Sequence, residues 1–196
     1  IWPAGFDEKG NLFCNQRYGD WPQDVEKFRM DPWAEPEWLL LSYGAKITAS
    51  GYEKDYEPSL AADENVQTWW MADTEAPGSF LIMDLDTCTD VYAIQINFAD
   101  NPSSQIKCPG EWKKTPDMER YIDRNAGYTR WLLEGSLDGE RWFVLEDKRN
   151  ADTDLSHDLV VSEEGWKLRY LKLLIEEVPY HVKPGISGLR VFGQAE

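Results

Sequence analysis

Short stretches that alternate apolar and polar residues dominate the chain from Trp38 onward, and they constrain its fold more than any other feature. The clearest example is Val91 to Phe98, in which Ile94, Ile96 and Phe98 are separated by polar residues. A period of two is typical of a β-strand with one buried face. The pattern predicts strands at Lys46 to Ser50, Phe80 to Leu85, Val91 to Phe98, Thr129 to Glu134, Trp142 to Leu145, Leu159 to Val161, Arg169 to Ile175 and Leu189 to Phe192.

The connections between these strands indicate an all-β fold. No segment after residue 38 shows the 3.6-residue apolar stripe of an amphipathic helix. The run Ser136-Leu137-Asp138-Gly139 joins two predicted strands and places glycine where a positive φ is least costly. About eight strands without βα alternation predict an antiparallel β-sandwich of the jelly-roll kind.

The first 37 residues differ from the rest and are predicted to form an N-terminal extension or the tail of a preceding domain. Phe6 to Phe13 is typical of a hairpin, because its Gly-Asn pair can supply the positive φ of the turn. The proline-bearing stretch Asp31 to Glu37 favours an extended linker. We therefore divide the chain into an extension, 1–37, and a sandwich domain, 38–196.

The charge of the chain excludes two classes of partner. The sequence has 20 Lys and Arg against 36 Asp and Glu, a formal net charge of −16. Such a charge repels phosphate backbones and anionic lipid head groups, so neither nucleic acid nor a membrane surface is expected as a partner. Aromatic residues make up 13% of the chain. Flat rings on an acidic protein suit neutral, hydroxyl-rich ligands such as sugars.

No catalytic signature stands out in the sequence. Cys14, Cys88 and Cys108 are an odd number at no metal-ligand spacing, so they define neither a zinc site nor a disulfide framework. The motifs G-x-S-x-G and H-E-x-x-H and the nucleotide-binding loop are absent. Carboxylates are abundant, but no sequence pattern singles out two of them as the acid and base of a glycosidase. We expect the chain to bind rather than to catalyse.

A polar loop, Leu60 to Trp70, ends in two adjacent indoles. Trp70 is expected to be buried against the apolar strand that follows, which leaves Trp69 to point elsewhere. The polar residues that can either close tight turns or surround a hard cation are Asp63, Asn65 and Thr68. Two interpretations stay open. The loop is either a structural element whose polar groups bond to one another, or a loop held by a bound cation that presents Trp69 to a ligand.

Five runs carry a family resemblance by their order and spacing. They are Leu60 to Trp70, Val91 to Phe98, Leu133 to Trp142, Arg169 to Leu173 and Ile186 to Gly193. Together they resemble a discoidin domain, also called the coagulation factor 5/8 type C domain, across residues 38–193. The resemblance implies a discoidin-like jelly roll. Bacterial members of this family are most often carbohydrate-binding modules of secreted glycoside hydrolases.

The extension carries a second, less specific resemblance. Trp2 to Asp7, with Tyr18 to Pro22, is similar to the last part of a family-43 glycoside hydrolase propeller. This implies that the chain is the tail of such an enzyme and has a secreted, periplasmic or cell-surface location. The chain also begins with Ile1 and holds no apolar run of 18 residues, so we expect a mature or dissected piece of a longer protein.

The discoidin resemblance also implies a structural Ca²⁺ at the polar loop. The oxygen ligands it assigns are the Asp63 carboxylate, backbone or side-chain oxygen of Asn65 and Thr68, and a carbonyl of Ala61 or Ala62. The family often completes this site with a Glu just before the final strand. Here that position is Gly188, so any Ca²⁺ is expected to bind more weakly.

The family's sugar site lies on loops at one end of the sandwich. The longest loop here is Ala99 to Tyr128, and the sequence indicates no secondary structure within it. A loop of this length without strands or helices is uncommon in a compact domain unless it binds a ligand or is disordered. Its candidate ligand residues are Asp100, Trp112, Tyr121, Arg124 and Tyr128, and Trp69, Tyr180 and His181 lie in other loops that could converge with it. Aromatic rings stack on sugar faces, and Arg and Asp bond hydroxyl groups.

Two functions stay open at this point. The favoured one is a non-catalytic carbohydrate-binding module that holds a neutral glycan near the active site of a polysaccharide-degrading hydrolase. Its partners are then carbohydrate and the catalytic domain, whose catalytic carboxylates lie, in the resemblance, on earlier propeller blades outside this chain. The alternative is a structural domain that packs on that catalytic domain and binds no sugar.

Overall fold

A computed structural model describes residues 38–99, 110–123 and 127–194, together with the short strands near the N-terminus. Side chains are described for all of these except the two N-terminal strands and residues 110–113 and 119–123. The strands are β1 Ala4–Phe6, β2 Leu12–Cys14, β3 Leu39–Leu40, β4 Lys46–Ala49, β5 Trp70–Met71, β6 Ser79–Phe98, β7 Gly110–Thr115, β8 Met118–Asp123, β9 Arg130–Ser136, β10 Trp142–Asp147, β11 His157–Glu177 and β12 Gly185–Gln194. Two short 3₁₀ turns span Pro58–Ala62 and Pro179–His181.

The predicted antiparallel β-sandwich is confirmed. Every strand pair of the described residues is antiparallel, and the order β10-β9-β11-β6-β12-β3 forms one continuous hydrogen-bonded path, with β4 added to β6 and β5 to β12. The first part of β6 pairs with β4 and the last part of β11, whereas its second part pairs with β12 and the first part of β11. Two long strands therefore run through both layers.

These two strands change layer where their register breaks. Asp86 of β6 has a positive φ of 66°, and β11 shifts register between Val161 and Trp166 and again between Leu168 and Tyr170. Bulges of this kind bend a strand and increase its twist, so one strand can serve two sheets. The sequence predicted four separate strands here, at Phe80 to Leu85, Val91 to Phe98, Leu159 to Val161 and Arg169 to Ile175. That division was wrong, because the ladder continues through both bends.

The core lies between the layers and follows the period-two pattern. Ile94 and Ile96 are fully buried, whereas Gln95 and Asn97 between them are half-exposed. Trp70 is also fully buried, as predicted, and its Nε1 donates a hydrogen bond of 3.1 Å to the Gly51 carbonyl. The residues of Leu60 to Trp70 are thus fixed to the core at their C-terminal end.

The long connection from Ala99 to Tyr128 contains secondary structure that the sequence analysis missed. β7 and β8 form a hairpin joined by Pro116 and Asp117, with Thr115 paired to Met118. The expectation of a loop without its own strands was therefore wrong. The pair Pro116-Asp117 was a usable turn signal, because proline fixes φ for the first central position of a β-turn.

The hairpin predicted near the N-terminus is confirmed in its strands. β1 and β2 pair antiparallel, with Phe6 opposite Leu12. The predicted linker Asp31 to Glu37 lies outside the described residues, and the division of the chain at residue 37 stays a prediction. No helix within the described ranges is long and apolar enough to cross a membrane.

Candidate functional site

One end of the sandwich gathers the loops that were predicted to bind a ligand. Phe98 at the end of β6 pairs with Ile186 near the start of β12, and Arg130 of β9 pairs with Glu177 at the end of β11. The amide of Ala99 donates to the Gly185 carbonyl over 2.9 Å. The long connection therefore leaves and re-enters the sandwich at the same end as the segment 178–185. We call this end the loop end.

A cavity of about 210 Å³ opens at the loop end. Its wall includes Phe98, Thr129, Asp154, Tyr180 and Lys183. Tyr180 is 41% exposed, so this aromatic residue presents surface to solvent. The cavity thus combines an aromatic ring with hydroxyl, carboxylate and ammonium groups, which is the mixture that orients a polar ligand in an apolar pocket.

Arg130 ties together three of the segments around this cavity. Its guanidinium lies 4.4 Å from the centre of the Tyr128 ring, its Nη1 is 2.8 Å from Glu177 Oε2, and its Nε donates to the Ala151 carbonyl over 3.0 Å. The cation–π contact restrains the Tyr128 ring, and the charge-assisted hydrogen bond restrains the Glu177 carboxylate. Tyr128 is thereby held in place before any ligand arrives. Sequence reasoning missed Arg130, because it looks like an ordinary strand residue.

The turn Pro179–His181 carries two of the predicted ligand residues in a strained conformation. Tyr180 has φ 64° and ψ 10°, and His181 has φ 52°. Left-handed backbone is uncommon for residues with a Cβ and is concentrated at functional sites. Tyr180 lines the cavity just described, and His181 lines a second cavity of about 240 Å³ that also contains Glu75 and Glu176.

Trp69 reaches the same region but is less exposed than the sequence suggested. Its ring lies 5.2 Å from the Tyr56 ring, and its Nε1 is buried without a hydrogen-bond partner. A Cβ added to Gly185, which lines the first cavity, would come within 3.2 Å of Trp69 Cδ1. The indole therefore packs under the cavity wall. The expectation of an exposed Trp69 is corrected to a half-buried one.

The structure brings together only part of the predicted ligand set. Four of its members lie at the loop end: Trp69, Tyr128, Tyr180 and His181. Of these, Tyr180 lines the first cavity and His181 the second. Asp100 and Arg124 lie outside the described residues, and Trp112 and Tyr121 are known only as backbone partners in the β7–β8 hairpin. Their role in binding stays a prediction. Asp154 and Lys183 line the cavity without having been predicted, and Lys183 is paired with Glu53.

The predicted cation loop satisfies much of its own hydrogen bonding. The Asp63 carboxylate accepts from the Asn65 amide over 2.9 Å, and the Asn65 side chain accepts from the Gln67 amide over 3.1 Å. The Thr68 hydroxyl is 2.6 Å from Asp63 Oδ2 and 2.9 Å from the Asn65 carbonyl. A hydroxyl has one proton to donate, so it cannot serve both oxygens at once. Three hard oxygens therefore lie together with a single proton between them.

The acidic ligand that the family often supplies just before the final strand has no substitute among the described neighbours of this loop. A Cβ on Gly188 would lie 2.9 Å from Asn97 Nδ2, so the Asn97 amide takes the space that a longer residue there would enter. The nearby Glu64 carboxylate is engaged by Arg190, with both oxygens 3.0 Å from Nε. Within the described ranges no three acidic, histidine or cysteine side chains cluster as metal ligands. A cation at this loop would have to draw on hydroxyl and carbonyl oxygen, which Ca²⁺ accepts.

Comparison with known proteins gives structural matches only. No family model matches the chain, and no curated protein matches it. Chitosan-binding module 2 from a chitosanase/glucanase of Paenibacillus sp. IK-5, solved with chitotriose, has a TM-score of 0.59 at 12% identity, over 78% of this chain and 99% of that one. The Clostridium perfringens module CpGH89CBM32-4, solved with GlcNAc-alpha-1,4-galactose, has a TM-score of 0.59 at 11% identity, over 82% and 97%. This chain has the fold of these carbohydrate-binding modules.

The same discoidin-like fold occurs inside a larger enzyme. A GH29 fucosidase of Ruminococcus gnavus, solved with fucose, matches with a TM-score of 0.57 at 19% identity, over 81% of this chain but 27% of that one. The sandwich predicted from the sequence resemblance is therefore confirmed as a carbohydrate-binding-module fold. The two modules were solved as separate domains, one of them derived from a chitosanase/glucanase, whereas in the fucosidase the fold is a segment of a longer enzyme chain.

Proposed function

We propose that this chain is a non-catalytic carbohydrate-binding module and that it binds a neutral glycan at the loop end. The observation that carries the proposal is the half-exposed Tyr180 ring in a cavity bounded by Thr129, Asp154 and Lys183. A ring offers a flat apolar face to the C–H groups of a sugar, and the polar groups bond its hydroxyls. The fold, which the chain shares with sugar-bound modules, supports the same function.

The charges around the cavity support a neutral rather than an anionic ligand. Lys183 is paired with Glu53, and Arg130 is paired with Glu177, so neither cation is left over to neutralise an anion. The chain also carries a net charge of −16, which disfavours uronic or sulfated sugars. Neutral sugars release no counterions, so binding should be nearly independent of salt.

We also propose a structural Ca²⁺ at the polar loop. A second proposal is a parent glycoside hydrolase of family-43 type that is secreted, periplasmic or held at the cell surface. The Ca²⁺ proposal is supported by the three oxygens of Asp63, Asn65 and Thr68 that share one proton. A Ca²⁺ ion coordinated by the Asp63 carboxylate, the Asn65 carbonyl and the Thr68 hydroxyl oxygen would satisfy all three oxygens, and the hydroxyl would keep its proton. A glycoside hydrolase parent is supported by the fucosidase match, in which the fold is a segment of the enzyme. Its assignment to family 43 rests on the resemblance of Trp2 to Asp7 and Tyr18 to Pro22 to the end of such a propeller.

One observation favours the alternative of a structural domain. The edge strand β10, which pairs only with β9 in the described part of the chain, carries Phe143 at 40% and Val144 at 56% exposure, with Leu137 at 56% beside it. Exposed apolar residues on an edge strand are suited to contact with another domain. A module that packs on its catalytic domain through this edge need not bind sugar at all.

Affinity electrophoresis separates the two functions. Native gels that contain arabinan, xylan, galactan, chitosan or mucin glycans should retard the protein in at least one case, both at low and at high salt. The salt comparison is needed because cationic chitosan retains any acidic protein through charge alone. Tyr180→Ala should abolish the salt-resistant retardation, whereas Tyr43→Ala, an exposed tyrosine near the opposite end, should not. No salt-resistant retardation on any glycan would favour the structural domain.

A further inference from the structure

The two cavities at the loop end share a wall. The Tyr180 cavity and the His181 cavity are both lined by Val178, Val182 and Pro184. The openings therefore lie on either side of one short ridge, and that ridge belongs to the segment that carries the Pro179–His181 turn.

The strained turn places consecutive side chains in different cavities. Tyr180 and His181 both have left-handed φ values, and Tyr180 lines the first cavity while His181 lines the second. Neither residue is glycine, so the backbone conformation is disfavoured at both positions. Strain of this kind persists at ligand clamps because the surrounding structure holds it in place.

The sizes of the cavities favour a ligand that spans both. Ligand pockets in proteins usually have volumes of ~300 to 1,000 Å³. The first cavity measures about 210 Å³ and the second about 240 Å³. Each is smaller than a usual pocket, whereas the two together fall within that range.

The second cavity has its own recognition chemistry. His181 lies there with the carboxylates of Glu75 and Glu176, above the apolar surface of Pro77 and Val178. Carboxylates accept hydrogen bonds from hydroxyl groups, and an imidazole can accept or donate one. The same carboxylates repel an anionic ring, so a sugar in this cavity must carry no negative charge.

We infer that the two cavities are adjoining subsites of one site, and that its ligand is a neutral glycan of at least two sugar rings. One ring lies against Tyr180 and the next lies beside His181, with the glycosidic bond over the shared ridge. This inference rests on the proposed glycan-binding function. Because the second ring binds without a second loss of translational freedom, a disaccharide should bind at least ~10-fold more tightly than its monosaccharide.

Calorimetric titration with matched sugars tests the inference. The probes are xylose and xylobiose, arabinose and arabinobiose, galactose and galactobiose, and N-acetylglucosamine with its disaccharide. His181→Ala should lower disaccharide affinity to the level of the monosaccharide and leave monosaccharide binding unchanged. Tyr180→Ala should weaken both. His181→Asn repeats the test with a residue that tolerates left-handed backbone, and His157→Ala is the matched control because His157 lines neither cavity.

The outcomes distinguish this inference from the proposed function. Equal affinities for a monosaccharide and its disaccharide, or a disaccharide affinity that both His181 variants leave unchanged, would overturn the two-subsite inference while glycan binding stands. If none of the eight sugars and none of the polysaccharides in the gels binds, both fail together.

Discussion

Replacement of Trp70 by alanine should lower the free energy of unfolding by about 3 to 5 kcal/mol, the usual range for truncation of a buried tryptophan. The Trp70 side chain is 0% exposed and packs in the core between the layers. It also donates a hydrogen bond of 3.1 Å to the Gly51 carbonyl. Because a domain is usually stable by only about 5 to 15 kcal/mol, the loss is a large share of the total.

Two further variants separate the contributions to this effect. Trp70→Phe keeps most of the apolar contact but loses the hydrogen bond to Gly51, so about 1 to 3 kcal/mol is expected. Trp69→Ala removes an indole that buries less area than Trp70, and its ring contact with Tyr56 contributes about 0.5 to 1.5 kcal/mol beyond that area. The Trp70→Ala variant should therefore be clearly the least stable of the three.

The assay is urea unfolding followed by far-ultraviolet circular dichroism, with linear extrapolation to water. Circular dichroism is preferred because each variant removes one of the ten tryptophans and so changes the fluorescence signal itself. A loss under about 1 kcal/mol for Trp70→Ala, or a larger loss for Trp69→Ala than for Trp70→Ala, would refute the assignment of Trp70 to the core and of Trp69 to its position under the cavity wall.

Three further predictions concern other parts of the sandwich. Gly193→Ala should cost about 1 to 3 kcal/mol in urea unfolding, because its Cβ would collide with the carbonyl oxygen of Asp90; an unchanged midpoint would show that β12 can shift. Arg169 holds the pKa of Asp84 below its ordinary value of 3.8 through a side-chain hydrogen bond. The stabilisation from this ionised carboxylate is therefore complete above pH 3.8 and is lost as the pH falls through the lowered pKa. Asp84→Asn removes this contribution, so the melting temperature of the variant should fall less steeply in acid than that of the native chain. An equally steep fall in both proteins would contradict the pairing of Asp84 with Arg169. Chelator should lower the melting temperature of the native chain but not of Asp63→Ala, because a Ca²⁺ ion that binds only the folded state stabilises it. No effect on either protein would show that the polar loop holds no Ca²⁺ and is closed by its own hydrogen bonds.

The fold was predictable because the layers impose a period of two on the sequence. Ile94 and Ile96 alternate with polar residues, and burial follows that alternation. The bends of β6 and β11 were not predictable, because the polar run around Asp86 looks like a connection between strands. Only the structure shows that hydrogen bonding continues on both sides of its positive φ.

The candidate site was predictable in its residue types but not in its geometry. Tyr180 and His181 stand between Pro179 and Pro184, which marks an irregular segment open to function. That their side chains enter two cavities depends on which loops meet at the loop end, and this is a property of the strand order. Arg130 gave no signal in the sequence, because its role comes from neighbours 21 and 47 residues away.

The most direct test of glycan binding at the loop end is a nuclear magnetic resonance titration with the polysaccharide fragment that the gels identify. Amide signals of residues 127–130, 153–156 and 178–185 should shift together and saturate, whereas those of the opposite end, 136–142 and 162–168, should stay in place. Shifts confined to the opposite end or to β10, or no shifts at any glycan concentration, would contradict the account.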